Sequence, residues 1–199
     1  MVRTSQSHPL QIAAVETKPS FGRIGITFCP GKVQANAATG AWNRDLKVDI
    51  KAIADWGAAA VVTLVEPHEL VELQVQGLGS AVQANHMDWV HAPIPDVSTP
   101  GIEFETVWKR EGEGVRDRLR AGFDVVVHCK GGLGRAGTIA ARLLVELGVA
   151  PNEAIRQVRA ARPGAIETSA QEAFVMGCKS VPEHQPDTSI EAIRDRAVG

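Results

Sequence analysis

The feature that most constrains the fold of this chain is the stretch VVVHCKGGLGRAGT at residues 125–138. It opens with an apolar run of β-branched residues, which is typical of a strand buried on both faces of a parallel sheet. The run ends at Cys129 and a glycine-rich turn, after which apolar residues recur at helical spacing as far as Gly148. The stretch therefore predicts a strand, a tight turn and a helix, with a cysteine at the carboxyl end of the strand.

The turn has the composition of an anion-binding loop. Gly131, Gly132 and Gly134 allow successive backbone N–H groups to point into one concavity, where the dipole of the following helix adds positive potential. Arg135 supplies a planar fork that matches two oxygens of a phosphoryl group. The same positive field favours the thiolate form of Cys129, which is its nucleophilic form.

A thiolate beneath a phosphate-shaped loop can attack phosphorus and form a phosphocysteine intermediate. Two other interpretations fit the stretch less well. The glycines at 132, 134 and 137 also satisfy a dinucleotide-binding fingerprint, but that motif needs a second strand ending in an acid, whereas residues 143–161 indicate helix, turn and helix. A plain turn around a buried cysteine would need neither Arg135 nor so many glycines.

The sequence HCKGGLGR at residues 128–135 resembles the H-C-x5-R signature of cysteine-dependent protein tyrosine and dual-specificity phosphatases. The likeness is greatest to the cyclin-dependent-kinase-associated phosphatase group, which residues 30–32 and 44–49 also match more weakly. The resemblance implies a three-layer α/β/α fold with a central, mostly parallel sheet of about four to five strands. It also implies hydrolysis of phosphate monoesters through the phosphocysteine.

Length and composition are those of an ordinary globular protein. The 199 residues suffice for one catalytic domain, expected at residues 10–180 between a flexible N-terminus (1–9) and a polar C-terminal tail (181–199). A net charge of −2 and the lack of a long apolar run predict no nucleic acid and no membrane as partner. The cysteines at 29, 129 and 178 lack metal-ligand spacing and fit a reducing compartment, so we expect a cytoplasmic monomer without metal or other cofactor.

The rest of the sequence alternates between strand and helix patterns, which is typical of α/β proteins. Strands are predicted at residues 10–15, 24–28, 59–65 and 87–91, and helices at 69–75, 101–120, 151–161 and from Thr168 onward. A further helix is expected to have Asn43 as its N-cap. Ile102 is expected on the buried face of the helix at 101–120.

Asp96 ends the proline-rich sequence PIPD at residues 93–96. By composition alone it is an ordinary turn residue. Expulsion of an alkoxide or phenoxide from phosphorus needs a proton donor, however, and the P-I-x-D form matches the loop that carries the general acid in the resembled family. The resemblance thus implies that Asp96 acts as acid and then as base. If Asp96 is only a turn residue, Asp88 or Asp124 has to be considered instead.

Gln171 lies in the sequence RPGAIETSAQEAF at residues 162–174. By composition it is a helix-surface residue. The segment resembles the part of the family in which a glutamine orients the hydrolytic water, so the resemblance implies a catalytic role for Gln171.

The signature assigns the remaining site residues by their position. The phosphate-binding residues are Lys130, Gly131, Gly132, Leu133, Gly134 and Arg135, and the supporting residues are His128, Ala136 and Thr138. One of these departs from the family, because the position after the arginine is normally a serine or threonine whose hydroxyl stabilises the departing thiolate. With Ala136 there, we expect slow hydrolysis of the phosphocysteine unless Thr138 supplies the hydroxyl.

The sequence and the family resemblance together predict a phosphatase acting on phosphorylated protein side chains, and they leave open the preference between phosphotyrosine and phosphoserine or phosphothreonine. Phosphate, sulfate or vanadate are expected as further occupants of the loop. A catalytically weak domain that binds phosphoproteins is one alternative. Another is a phosphatase of lipid or small-molecule phosphates, because Lys130 adds a basic residue to the loop. Leu133, where lipid-directed relatives carry a second lysine, argues against the lipid version.

Overall fold

A computed structural model describes residues 2–37 and 40–183 of the chain. The strands within them are β1 (Ala13–Val15), β2 (Ile24–Phe28), β3 (Val33–Gln34), β4 (Trp42–Asn43), β5 (Ala58–Thr63), β6 (Asp88–His91) and β7 (Asp124–Cys129). Strands β3 and β4 form a small hairpin, and the other five form a sheet in the order β1-β2-β7-β5-β6. All neighbours in this sheet are parallel except β1 and β2, so the predicted mostly parallel sheet is confirmed.

Strand β7 lies in the middle of the sheet, between β2 and β5. Val125 and Val127 pack into one hydrophobic core and Val126 into another on the opposite face. The valine run is therefore buried on both faces, as its lack of polar alternation predicts. In this register Phe28 on β2 is the partner of Cys129, so the ends of the two strands meet at the cysteine.

Helices cover both faces of the sheet. Those in the described part of the chain are α1 (Leu46–Asp55), α2 (Pro67–Glu72), α3 (Leu78–Ala84), α4 (Ile102–Arg120), α5 (Gly134–Glu146), α6 (Pro151–Ala161) and α7 (Ser169–Gly177). Helices α1 to α3 enclose the core around Val126, and α4 to α7 enclose the larger core around Val125 and Val127. The result is the expected three-layer α/β/α arrangement.

Three local expectations are wrong. Asn43 lies in β4, and the N-cap of α1 is Asp45, whose carboxylate accepts the N–H groups of the first helical turn. Ile102 is 88% exposed because it precedes the buried Phe104 by two residues, about 200° around the helix, and so lies on the opposite face of α4. The helix predicted at residues 69–75 ends earlier, and α3 follows it as a separate short helix.

The N-terminal segment is bonded to the rest of the domain, although the sequence predicts flexibility at residues 1–9. The N–H of Arg3 donates to the carbonyl oxygen of Ala41 at 2.9 Å, beside the hairpin. The guanidinium of Arg44 donates to the carbonyl oxygen of His8 at 2.7 Å. These contacts hold the segment against β4 and the start of α1.

The polar tail predicted at residues 181–199 falls mostly outside the residues that the structure describes. Within the described ranges, no helix has the length and apolar character needed to cross a membrane. The same described residues contain no cluster of three or more His, Cys, Asp or Glu side chains that could bind a metal ion. Cys29, Cys129 and Cys178 are free thiols.

Candidate active site

Cys129 ends β7 and is enclosed by the glycine-rich turn. Its side chain is 3% exposed, and its Sγ accepts the backbone N–H of Gly132 at 3.2 Å. Gly132 has a φ of +70°, and a Cβ there would lie 2.5 Å from backbone atoms of Thr27 and Phe28, so only glycine fits. The loop thus closes on the sulfur of Cys129.

Two cations hold the carbonyl groups of this loop. The Nζ of Lys32 donates to the carbonyl oxygen of Lys130 at 3.1 Å, and the Nε of Arg162 donates to that of Gly132 at 3.1 Å. Because the C=O and N–H of a peptide unit point in opposite directions, fixing the carbonyl oxygens also fixes where the N–H groups point. Sequence analysis missed both cations, although each lies in a segment that resembles the family.

Arg135, in the first turn of α5, is held by a carboxylate that sequence analysis also missed. Its Nη1 and Nη2 donate to the two carboxylate oxygens of Glu69 at 2.6 and 3.0 Å, and Nη1 donates to the carbonyl oxygen of Ile94 at 2.9 Å. Burial works to lower the pKa of Arg135, but the hydrogen bonds to Glu69 and the nearby negative charges, those of Glu69 and Asp96 among them, together outweigh it and raise the pKa. The guanidinium is therefore a fixed charge with a set orientation.

Glu69 is itself buried, at the third position of α2. Its carboxylate also accepts the backbone N–H of Glu66 at 2.9 Å, in a capping box that fixes the side chain. Burial works to raise the pKa of Glu69, but the hydrogen bond from Arg135 and its charge lower it. The sequence signal available was the helix start, since Pro67 and Glu69 occupy preferred first-turn positions; it does not reveal the contact with Arg135.

The structure brings Asp96 to the same guanidinium. Its Oδ1 lies 2.8 Å from the Nη2 of Arg135, and its side chain is 54% exposed, so it reaches the loop from the solvent side. The next residue, Val97, has a φ of +58°, a costly conformation for a β-branched residue. The alternatives Asp88 and Asp124 are the first residues of β6 and β7, so they lie at the end of the strands opposite to Cys129.

The departure at Ala136 is not compensated by its neighbour. Ala136 is fully buried in α5. The hydroxyl of Thr138 donates to the carbonyl oxygen of Gly134 at 2.8 Å, one helical turn back. Because a hydroxyl has a single proton to donate, Thr138 does not supply a hydrogen bond to Cys129 in this arrangement.

Gln171 is fully buried, so the composition-based prediction of a helix-surface residue is wrong. It caps α7, where its side-chain oxygen accepts the N–H groups of Glu167 and Thr168 at 3.0 and 3.3 Å. Its amide nitrogen donates to the carbonyl oxygen of Ser98 at 3.2 Å. The amide also packs closely against Gly134, since a Cβ added to Gly134 would lie 3.0 Å from the amide nitrogen. Gln171 therefore joins the loop that carries Asp96 to the start of α5.

His128, the residue before Cys129, is fully buried. Its Nε2 lies 2.8 Å from the Oγ1 of Thr63, which also accepts the indole N–H of Trp89 at 2.8 Å. Burial lowers the pKa of His128 to about 3, so the ring is neutral at neutral pH. His128 thus supports the loop as a neutral, positioned ring.

Lys130 lies next to two acidic side chains of α2. Its Nζ is 3.9 Å from the carboxylate of Glu69 and 4.0 Å from that of Glu72. Its positive charge is therefore partly balanced on this side of the loop. Leu133 and Gly131 contribute backbone to the turn, and Leu133 is half-buried.

This geometry is that of the cysteine-dependent phosphatases, in which the nucleophile ends a central parallel strand and the arginine of the loop opens the next helix. A family model described as the DSP-PTPase phosphatase domain of a Swiss Army Knife protein matches residues 39–175. The chain belongs to this family of dual-specificity-type phosphatase domains. The resemblance of residues 128–135 is thereby confirmed.

Similar proteins include cyclin-dependent kinase inhibitor 3 from Rattus norvegicus and from Mus musculus. Each is 32% identical over 131 residues, which make up 64% of this chain and 60% of the relative, so the match spans less than two thirds of these relatives. A solved kinase-associated phosphatase, with its catalytic-site cysteine replaced by serine, is 25% identical, with a TM-score of 0.72 over 84% of this chain and 92% of that one. Tk-PTP in its active form is 28% identical, with a TM-score of 0.57 and coverage of 82% and 93%.

Proposed function

We propose that this protein hydrolyses phosphate monoesters on protein side chains, phosphotyrosine and also phosphoserine or phosphothreonine, through a phosphocysteine. The observation that carries the proposal is the Cys129 sulfur, which accepts the N–H of Gly132 at 3.2 Å beside a buried, oriented Arg135. This arrangement supports roles for Cys129 as the nucleophile and for Arg135 and the loop N–H groups as oxyanion donors on one phosphoryl group. The similarity to a kinase-associated phosphatase supports a phosphoprotein as the substrate.

In the first step the thiolate of Cys129 attacks phosphorus, the bond to the ester oxygen breaks, and Asp96 gives its proton to that oxygen. The loop N–H groups and Arg135 bind the phosphoryl oxygens. In the second step Asp96 takes a proton from water, which attacks phosphorus and releases phosphate and the thiolate. The water-orienting role implied for Gln171 requires its amide nitrogen to leave the carbonyl of Ser98, because its oxygen caps α7.

A second candidate, a phosphoprotein-binding domain with slow turnover, is favoured by one observation. Breakdown of the phosphocysteine needs the thiolate as a leaving group, and a hydrogen bond from a hydroxyl stabilises that charge. Ala136 has no hydroxyl, and the hydroxyl of Thr138 is bonded to Gly134.

A phosphoinositide substrate is disfavoured, since Glu69 and Glu72 oppose the charge of Lys130 where a polyanionic headgroup would lie.

The test is turnover of an aryl phosphate and of phosphopeptides by wild type and by Cys129→Ser. We expect wild type to be active in EDTA and inhibited by vanadate, and Cys129→Ser to be inactive. Cys178→Ser is the matched control and should keep full activity, because Cys178 is a half-buried thiol at the C-terminal end of α7. Retention of more than roughly one per cent of activity by Cys129→Ser would exclude covalent catalysis. Tight phosphopeptide binding without turnover in wild type would favour the second candidate.

A further inference from the structure

A cleft of about 410 Å³ lies between the N-terminal segment and the hairpin β3–β4. Its lining includes Arg3, Ser7, His8, Gln11, Phe28 and Trp42. Phe28 is the register partner of Cys129 on the adjacent strand, so the floor of the cleft borders residues 129–135, here called the catalytic loop. The mechanism described above uses none of these lining residues.

Arg3 lines this cleft and stacks its guanidinium on an aromatic ring. The guanidinium carbon lies 5.0 Å from the centroid of the Trp42 ring. The backbone of Arg3 is fixed by hydrogen bonds to the carbonyl of Ala41 at 2.9 Å and from the N–H of Asn43 at 3.0 Å. Its side chain makes no hydrogen bond or ion pair with any other residue that the structure describes. A guanidinium stacked on an aromatic ring with its N–H fork unpaired is well suited to bind a carboxylate or a phosphoryl group.

Further positive charge lies behind the same aromatic ring. Lys32 and Arg44 are 4.7 and 5.7 Å from the Trp42 centroid. Arg44 is neutralised by Asp49, which accepts two of its N–H groups at 2.7 and 2.8 Å. The ammonium group of Lys32 instead donates to a backbone carbonyl oxygen of the catalytic loop. Arg3 is therefore the arginine that lines the cleft, and the buried Lys32, whose pKa burial lowers, lies next to it on the Trp42 ring.

We propose that this cleft binds a second anionic group of the substrate, a carboxylate or phosphoryl group on a side chain near the phosphorylated one. The inference rests on the proposed phosphatase function and names a determinant of its substrate choice. Arg3 supplies the fork, and Ser7 and His8 add polar atoms at the rim. Phe28 and Trp42 are 5.2 Å apart between ring centroids. Arg3 stacks on Trp42, Trp42 lies beside Phe28, and Phe28 is the strand partner of Cys129. The fork of Arg3 therefore lies within roughly 20 Å of Cys129, a distance that about six residues of extended chain span.

The test is a panel of otherwise neutral phosphotyrosine peptides that carry one aspartate or one phosphoserine at each position within about six residues of the phosphotyrosine. We expect a preference for peptides whose anion lies on one side of the phosphotyrosine. For these peptides the kcat/KM of wild type should be about tenfold above that for the neutral parent peptide. Arg3→Gln should bring this ratio close to one, and Arg3→Lys should restore only part of it, because lysine lacks the fork. Arg110→Gln, which removes an exposed arginine of α4, should keep the wild-type ratio.

The same ratio is measured as peptide affinity in a Cys129→Ser background, which tests the cleft separately from catalysis. An Arg3-dependent preference in affinity, with no turnover in wild type, would retain the anion subsite and overturn the proposed function. Equal affinity and equal kcat/KM for all peptides would overturn the subsite. So would a preference that persists in Arg3→Gln. A gain with phosphoserine but not with aspartate would support the phosphoryl form of the ligand.

Discussion

Replacement of Glu69 by glutamine tests whether a buried carboxylate orients the arginine of the catalytic loop. Glutamine keeps the size of the side chain and its bond to the N–H of Glu66, but it removes the negative charge that faces Arg135. Glu69 and Arg135 are both 2% exposed. After the change, the guanidinium keeps the carbonyl of Ile94 and the carboxylate of Asp96, which is 54% exposed.

Breaking a buried ion pair by removing one partner costs about 3–5 kcal/mol of stability. We expect the low end of this range, because Asp96 and Ile94 still contact the guanidinium. Loss of orientation should lower kcat/KM for an aryl phosphate by about 10²-fold, as removal of one oxyanion donor does, and should weaken inhibition by vanadate. Glu72→Gln is the matched control, since Glu72 ends the same helix, is 60% exposed and lies 4.0 Å from Lys130. It should change stability by less than about 1 kcal/mol.

Urea unfolding and steady-state kinetics on the same variants decide between the possible roles. If Glu69→Gln unfolds at lower urea but keeps its kcat/KM and its vanadate affinity, Glu69 stabilises the fold without orienting Arg135. If neither quantity changes, the ion pair does not form in solution and the reasoning fails. Glu69→Asp, which keeps the charge but shortens the side chain, should recover stability more than activity.

Asp96→Asn should lower kcat for a phosphoserine peptide by about 10²–10⁴-fold with little change in KM, because a general acid acts mainly in the transition state; an unchanged kcat would remove Asp96 from the mechanism. Ala136→Ser should raise kcat by up to about tenfold and abolish a pre-steady-state burst seen in wild type; no burst in wild type and no gain in the variant would mean that phosphocysteine breakdown is not limiting. His128 has a pKa of about 3 in the folded state, against about 6.5 unfolded, so below pH 6.5 only the unfolded chain binds the proton, and stability is lost as pH falls from 6.5 toward 3. Urea unfolding between about pH 6 and 4 should give a slope up to about 1.4 kcal/mol per pH unit steeper in wild type than in His128→Gln, and equal slopes would contradict a buried neutral ring.

Local patterns predict much of the fold because they act within one element. Helix α6 begins at Pro151 and ends at Ala161 as expected, since a proline favours the first turn and the Arg-Pro-Gly sequence stops the helix. The hairpin β3–β4 escaped prediction because each of its strands has only two residues, too few to show alternation. Its position depends on Arg3 and Arg44, which contact it from other parts of the chain.

The residues of the site also differ in whether they lie in one local element or meet through packing of distant elements. Cys129 and Arg135 belong to one turn, so their sequence separation alone brings them together. Glu69 and Gln171 come from α2 and α7, and each is the N3 residue of a capping box. A sequence pattern accounts for that capping role. It does not show that the same side chains reach Arg135 and Ser98, because those contacts depend on how the two helices pack against the loop.

The charges at the loop predict that a proton enters with the substrate. Glu69 already balances Arg135, and Asp96 places a second carboxylate on the same guanidinium. A phosphate dianion that takes the Nη2 position would face the Asp96 carboxylate at hydrogen-bonding distance, where two negative charges strongly disfavour each other. Asp96 should therefore take up a proton as the ester binds, which is the state that a general acid needs.

We expect phosphopeptide binding to Cys129→Ser at about pH 7 to take up close to one proton, measured by calorimetry in buffers of different ionisation enthalpy. Asp96→Asn in the same background should abolish this uptake, because the amide cannot bind the proton. Uptake that persists in the double variant would place the proton on the ester, which would then bind as a monoanion. Binding without any uptake would show that Asp96 stays ionised beside the phosphate. A carboxylate that stays ionised there has no proton to give to the leaving oxygen.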